Sequence, residues 1–345
     1  MSHPLQSVTV TASLQSFQIL NNQSGWLLTQ HALYHLTHGG RNATRVQASA
    51  NGPLVATWFH GKVYTATGLG QNQHDGIKIQ SSTNGGRSWV SLGTIHSPYL
   101  PMQLIMHSTG TGWLETSPGA GGAEMPAQLW KTVNAGRHWT LVAQFPLQKD
   151  IVNGQPRVLI QGGRFHFLAR NHGWLIPFPS PSAYQTFLYR TTTGGQTWRP
   201  VKWPWPVGRT ATEAIGIAAL TTNTAGTGLV MIQWGSKTGG WQAASLVNNR
   251  FHAWGPLITG GSNPVFTTTT SPTAIGMAAQ QTLWVMSTNA ALQPVVRRVT
   301  TRLPFTSAMA LQLSGRKGWA LSRSHDNHPV LWTTTDGGVH WHRVS

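Results

Sequence analysis

The chain has 345 residues and a formal charge of +17, from 24 Lys plus Arg against 7 Asp plus Glu, and charged residues are only 9% of it. Ordinary domains carry about 25%, and exposed helices rely on paired charges and strong helix formers, so a helical architecture is excluded. Hydrophobic residues at 39% exclude disorder, and the lack of Cys excludes disulfides, thiolate metal sites and cysteine nucleophiles.

Taken in chain order, residues 1–12 lack the basic start and apolar centre of a secretory signal, and no run reaches the roughly 20 apolar residues of a membrane-spanning helix. Residues 8–12 alternate as a strand would. A first unit follows, with Gly25-Trp26-Leu27-Leu28 as a strand and His38-Gly39-Gly40-Arg41 as a turn. The second has Gly61-Lys62-Val63-Tyr64 and ends on Ser82-Thr83-Asn84-Gly85-Gly86-Arg87-Ser88-Trp89. The third has apolar residues 102–106, then Gly112-Trp113-Leu114, and ends on Thr132-Val133-Asn134-Ala135-Gly136-Arg137-His138-Trp139. The fourth repeats this order with residues 165–169, Gly173-Trp174-Leu175 and Thr191-Thr192-Thr193-Gly194-Gly195-Gln196-Thr197-Trp198. The fifth has Gly228-Leu229-Val230-Met231 and ends at Trp254, and the sixth keeps Thr282-Leu283-Trp284-Val285 and the run 294–299. The seventh has residues 308–313, Gly318-Trp319-Ala320 and Thr334-Thr335-Asp336-Gly337-Gly338-Val339-His340-Trp341.

Seven units in 345 residues give about 49 residues each. Each unit reads strand, turn, strand, turn, with four strands in all, which suits propeller blades. The expected fold is therefore all-β, a seven-bladed β-propeller with four-stranded antiparallel blades. One domain covers 1–345, with blades near 13–50, 51–97, 98–146, 160–203, 212–258, 265–304 and 305–345.

The eight-residue turn resembles the Asp-box, or BNR, repeat, whose pattern is Ser-x-Asp-x-Gly-x-Thr-Trp. With the Gly-Trp strand, the chain looks most similar to photosystem II stability/assembly factor-like and sortilin-like propellers. The resemblance implies the fold and leaves function open, because such boxes occur in sialidases, xyloglucanases and non-catalytic receptors. Here the box Asp survives only as Asp336, with Asn84, Asn134, Thr193 and His38 in the equivalent places. Asn accepts the same backbone hydrogen bonds without titrating. The box residues read as structural.

In such a blade the eight-residue turn lies at one end. The loops between the second and third strands, and the links between blades, lie at the other. Long segments of the latter kind occur at 115–126, 146–163, 177–184 and 200–213, and would form a rim beside blades 3–5. Such long loops are frequently functional. Six of the seven acids, Asp75, Glu115, Glu124, Asp150, Glu213 and Asp326, fall in or beside loops of that end. A glycosidase needs two carboxylates, for which Glu115, Asp150 and Glu213 are the candidates. Binding candidates are Trp203 and Trp205 in a Trp-Pro-Trp-Pro loop, Tyr184, Arg157, Arg164 and Arg209.

His74-Asp75 and His325-Asp326-Asn327-His328 contain metal-ligand types, but read as solvated loop residues, so no metal and no cofactor is expected. No phosphate-binding loop, serine elbow or zinc-protease motif is present in the sequence.

The cations are scattered with no run of four, which argues against nucleic acid as the partner. A purely charge-driven adhesin reading predicts binding that weakens steeply with salt. The scarcity of acids suggests stability in acid and an extracytoplasmic protein whose sequence here starts after a signal. The functional expectation is a non-catalytic exported propeller that binds a protein or glycan partner through the loop-rich face of blades 3–5. The alternative is a carbohydrate-active enzyme, glycoside hydrolase or sialidase-like, on the same face.

Overall fold

The computed structural model describes residues 2–5, 14–20, 24–49, 52–59, 61–70, 76–118, 126–152, 155–160, 162–177, 188–201, 204–209, 213–235, 239–259, 264–268, 274–279, 281–300, 302–305, 308–324, 326 and 328–344. The side chains of residues 2, 3, 148–152, 155–160, 214, 215 and 268 lie outside that description.

The fold is a seven-bladed β-propeller of antiparallel four-stranded sheets, nearly all β. After a short N-terminal strand β1 (Ser2–Pro4), the blades follow one another along the chain. Blade 1 holds β2 (Leu14–Ile19) to β5 (Asn42–Ala48), and blade 2 holds β6 (Leu54–Phe59) to β9 (Val90–Ile95). Blade 3 holds β10 (Leu100–Met106), β11 (Gly112–Ser117), β12 (Ala127–Thr132) and β13 (Thr140–Phe145). A two-stranded hairpin follows, β14 (Leu147–Val152) with β15 (Gln155–Ile160). Blade 4 holds β16 (Gly163–Phe167), β17 (Gly173–Pro177), β18 (Tyr189–Thr191) and β19 (Arg199–Pro200). Blade 5 runs from β20 (Ala214–Thr222) to β23 (Arg250–Thr259), blade 6 from β24 (Val265–Thr268) to β27 (Pro294–Thr300), and blade 7 from β28 (Ala308–Ser314) to β31 (His342–Arg343).

By contacts the chain divides into two compact units. One comprises residues 1–27, 34–44 and 201–345, and the other comprises 28–33 and 45–200. In the first, Gln312 of β28 clamps β2 by accepting from the Ile19 N–H at 2.7 Å and donating to the Ile19 carbonyl at 2.8 Å. In the second, Gln103 of β10 makes the same two bonds with Phe165 of β16, both at 2.8 Å. A single amide side chain thus replaces the backbone ladder that adjacent blades lack.

The Gly-Trp strands were legible because they are central and sealed on both sides. Every residue of β11 is buried, whereas the outer strand β9 is exposed at most of its positions. A strand buried on both faces reads as a continuous apolar run.

The eight-residue turns explain their own sequence. In blades 2, 3, 4 and 7 the first hydroxyl, of Ser82, Thr132, Thr191 or Thr334, accepts the N–H of the glycine at place five at 3.0–3.1 Å. The side chain at place three accepts the N–H at place seven at 2.9–3.0 Å, whether it is Asn84, Asn134, Thr193 or Asp336. Gly195 has a φ of +103, and a Cβ there would meet Leu129 of the preceding blade at 2.6 Å, so both conformation and space demand glycine. Trp198 closes the turn with Nε1 donating to the Gly195 carbonyl at 2.9 Å, and it is fully buried among Trp113, Leu129, Phe165 and Phe167.

Two local expectations are corrected, and the N-terminus adds a strand. Glu115 stands inside β11, which runs on to Ser117, and not in a loop. Residues 147–152 and 155–160 pair as two antiparallel strands where an irregular link was expected. The described N-terminal strand, Ser2–Pro4, pairs with β5 of the first blade as a fifth strand, while the alternating run 8–12 lies outside the described residues.

Candidate functional site

The link before blade 5 is tied down by aromatic packing. Trp205 meets Trp234 edge-on at 6.1 Å, and Trp234 meets Trp254 at 6.0 Å, which in turn lies 5.4 Å from Phe251. The Trp254 indole N–H donates to the Pro204 carbonyl at 2.9 Å. Prolines on both sides of Trp205 keep this stretch out of any strand ladder, so the indole is fixed by its ring contacts.

Arg209 lies over the Trp234 ring, 5.0 Å from its centre, with Nη1 3.7 Å from Glu213 Oε2. The Glu213 carbonyl accepts the Gly235 N–H at 2.7 Å, which places the carboxyl beside the end of β21 (Gly228–Trp234). Trp234 Nε1 and Glu213 Oε2 are both buried with no hydrogen-bond partner among the described residues. The cluster therefore combines a half-buried indole, a guanidinium, a carboxylate and a buried indole N–H, a set suited to hydroxyl-rich or planar partners.

A second polar group lies between β10, β11 and β16 of blades 3 and 4. Glu115, 4% exposed, sits opposite Gln103 of β10. Burial pushes its carboxyl up to about 8, opposed by a hydrogen bond from the Gly163 backbone, and Oε1 has no partner among the described residues. His166, on β16, is held down at about 4, first by burial and then by the neighbouring His107. His107 is lowered by burial, opposed by its bond to the Phe167 backbone, and its ring stands edge-on to Trp113 at 5.6 Å. Glu115 and His166 therefore stay neutral through the middle pH range, because a buried charge without a partner is costly. Sealed in this way, Glu115 can hold a proton but cannot touch a substrate.

Of the expected site residues, Trp205, Arg209 and Glu213 come together at blade 5, and Glu115 lies apart in the core of blade 3. Arg164 alternates with buried Phe165 on β16 and is exposed. Asp150 and Arg157 belong to the hairpin strands β14 and β15, with their side chains outside the described residues, and Tyr184 and Trp203 lie wholly outside them. The histidines His107 and His166 were not anticipated. Their place on or beside the first strand of a blade was the available signal, since those positions face the next blade. Among the described residues no group of three or more His, Cys, Asp or Glu is placed to hold a metal ion, and no helix is long and apolar enough to cross a membrane.

No protein-family model matches the sequence, and neither does the sequence of any curated protein. Solved structures do resemble the fold. An oligogalacturonate lyase from Vibrio parahaemolyticus aligns at a TM-score of 0.63 and 6% identity, over 97% of this chain and 93% of its own. An ancestral GH74 enzyme aligns at 0.53 and 12% identity, over 96% of this chain and 44% of its own. PorZ, a surface component of the type-IX secretion system of Porphyromonas gingivalis, aligns at 0.51 and 8% identity, over 100% of this chain and 39% of its own. The chain spans less than half the length of the last two, and at these identities the likeness establishes the fold.

Proposed function

We propose that the protein is a non-catalytic binding or assembly propeller of the Asp-box type, working outside the cytoplasm and holding a glycan or protein partner on its loop-rich side. The observation that carries this reading is the ordered cluster of Trp205, Arg209, Glu213 and Trp234 at the entrance to blade 5. Aromatic and arginine side chains held by their neighbours bind with little entropy left to lose. One of the three carboxylates expected to serve an enzyme, Glu115, is sealed in blade 3, which speaks against a role for it in the glycosidase alternative. Fold neighbours named as an oligogalacturonate lyase and a GH74 enzyme suggest which glycans to try first.

A glycan array that includes oligogalacturonate and xyloglucan oligosaccharides tests the reading. Binding that drops by about ten-fold or more in Trp205→Ala and Arg209→Ala supports it, since such contacts contribute roughly 1–3 kcal/mol. Turnover of any arrayed glycan that disappears in Asp150→Ala or Glu213→Ala establishes the enzyme alternative instead.

A further inference from the structure

We propose that the turn end of blades 3 and 4, opposite the loop-rich end, docks the protein on an anionic lipid surface. Both kinds of short turn gather at this end, because the eight-residue turn donates to the first hairpin of its own blade. The Ala135 N–H meets the Gly110 carbonyl at 2.8 Å, and the Gly194 N–H meets the Asn171 carbonyl at 2.9 Å. The segments so assembled, 107–111, 133–139, 168–172 and 192–198, contain no Asp or Glu.

They do contain, or adjoin, like charges held together. Arg190 and Arg199 face one another directly across β18 and β19, an arrangement that costs stability in a sheet pair. Lys131 Nζ reaches Asn171 Oδ1 at 3.4 Å, beside Arg170, which together with burial lowers the lysine pKa. A side chain at Gly194 would strike that lysine and the Arg170 carbonyl, so the glycine leaves room for the cations to converge. Arg137, Arg170 and Arg199 are exposed. Where blade 7 has Asp336 in its turn, blades 3 and 4 have Asn134 and Thr193, which removes the one internal counter-charge the turn provides elsewhere.

The choice of lipid over polysaccharide rests on one exposed apolar residue of the same end and on where its tryptophans point. Val133, in the turn, is 54% exposed, whereas the turn tryptophans Trp139 and Trp198 point inward, each donating to its own turn at 2.9 Å. No exposed Phe, Tyr or Trp is found there among the described residues. Exposed aliphatics among cations suit a headgroup layer, while sugar binding draws on exposed rings.

Co-sedimentation with phosphatidylglycerol-containing vesicles, against pure phosphatidylcholine vesicles, tests the proposal. Retention on the anionic vesicles alone is expected, falling steeply with salt. Each cation contributes roughly five-fold, so Arg137→Glu with Arg170→Glu and Arg199→Glu should reduce retention by more than ~100-fold. The variant Arg297→Glu with Arg298→Glu and Arg302→Glu makes the same change in net charge at exposed positions of blade 6 and the link after it, and should bind as the parent does. Val133→Asp should weaken binding without changing the number of cations involved. Thermal melts of all variants check folding. The proposal is overturned by no retention at low salt, by equal losses in the two triple variants, or by capture on heparin without capture on vesicles.

Discussion

Glu115 and Asp336 are both carboxylic acids, and the protein treats them in opposite ways. Asp336 stands in the exposed turn of blade 7, where it accepts N–H groups from Val339 and His340 at 3.0 Å and meets the His340 ring nitrogen at 2.6 Å. The backbone bond from His340, followed by the bond from its side chain, holds this carboxyl well below the usual range. Glu115 lies between blades 3 and 4 with a single backbone bond from Gly163, and burial raises it to about 8. The difference teaches that burial, weighed against hydrogen bonds to the charged form, decides whether a carboxyl stays ionised. It also divides the acid response of the protein into two parts of opposite sign.

The largest effect should come from removing the buried acid. Below about pH 4.5 the glutamate is protonated in both states and costs nothing. As pH rises towards about 8 only the unfolded chain gives up the proton, so stability falls across that window. Glu115→Gln keeps the shape and the acceptor for Gly163 and should abolish the fall, gaining up to ~4 kcal/mol at alkaline pH. Urea unfolding at about pH 5 and about pH 9 measures it. Equal slopes in parent and variant would mean that Glu115 is hydrated and ionises normally.

His166 should act with the opposite sign and less strength. With its folded pKa held down at about 4, the unfolded chain takes up a proton first as pH falls below about 6.5, so stability is lost between there and about 4. His166→Gln should remove up to ~3 kcal/mol of that acid loss, less than the effect of Glu115. The parent protein is therefore expected to be most stable in mildly acidic solution, which sharpens the expectation of acid stability drawn from composition alone.

The repeated turns made the blades legible because each demands particular side chains: a hydroxyl at Thr132, an acceptor at Asn134, a glycine at Gly136 and an indole at Trp139. No such rule governs how far a strand extends. The apolar run predicts an end to β11 before Glu115, whereas a carboxyl kept neutral by burial continues the strand at a cost in stability. The hairpin of β14 and β15 carried a signal in Asn153-Gly154 between apolar runs, masked by Pro156 and by its position between two complete blades. Trp205, Arg209 and Glu213 were recognisable as residues of a long link. The convergence of Trp205 and Arg209 on Trp234 was not, since it depends on contacts 25 and 29 positions away in the chain.

The smallest effect comes from exchanging the turns themselves. Asn134 accepts the His138 N–H at 2.9 Å much as Asp336 accepts that of His340 at 3.0 Å, so the amide meets the backbone requirement and only the charge differs. Because the folded pKa of Asp336 is depressed, its contribution is present above about pH 3.8 and is lost as pH falls further. Asp336→Asn should lower Tm by ~2 °C near neutral pH and by less at about pH 2, and a deficit that does not shrink in acid would assign the role of Asp336 to shape. Asn134→Asp is the reciprocal change, expected to raise Tm by ~1 °C. It also places a negative charge at the basic end of blade 3, so it should weaken retention on phosphatidylglycerol vesicles by about five-fold. A variant that gains stability while losing retention would show that the amide at position 134 benefits the surface and not the fold.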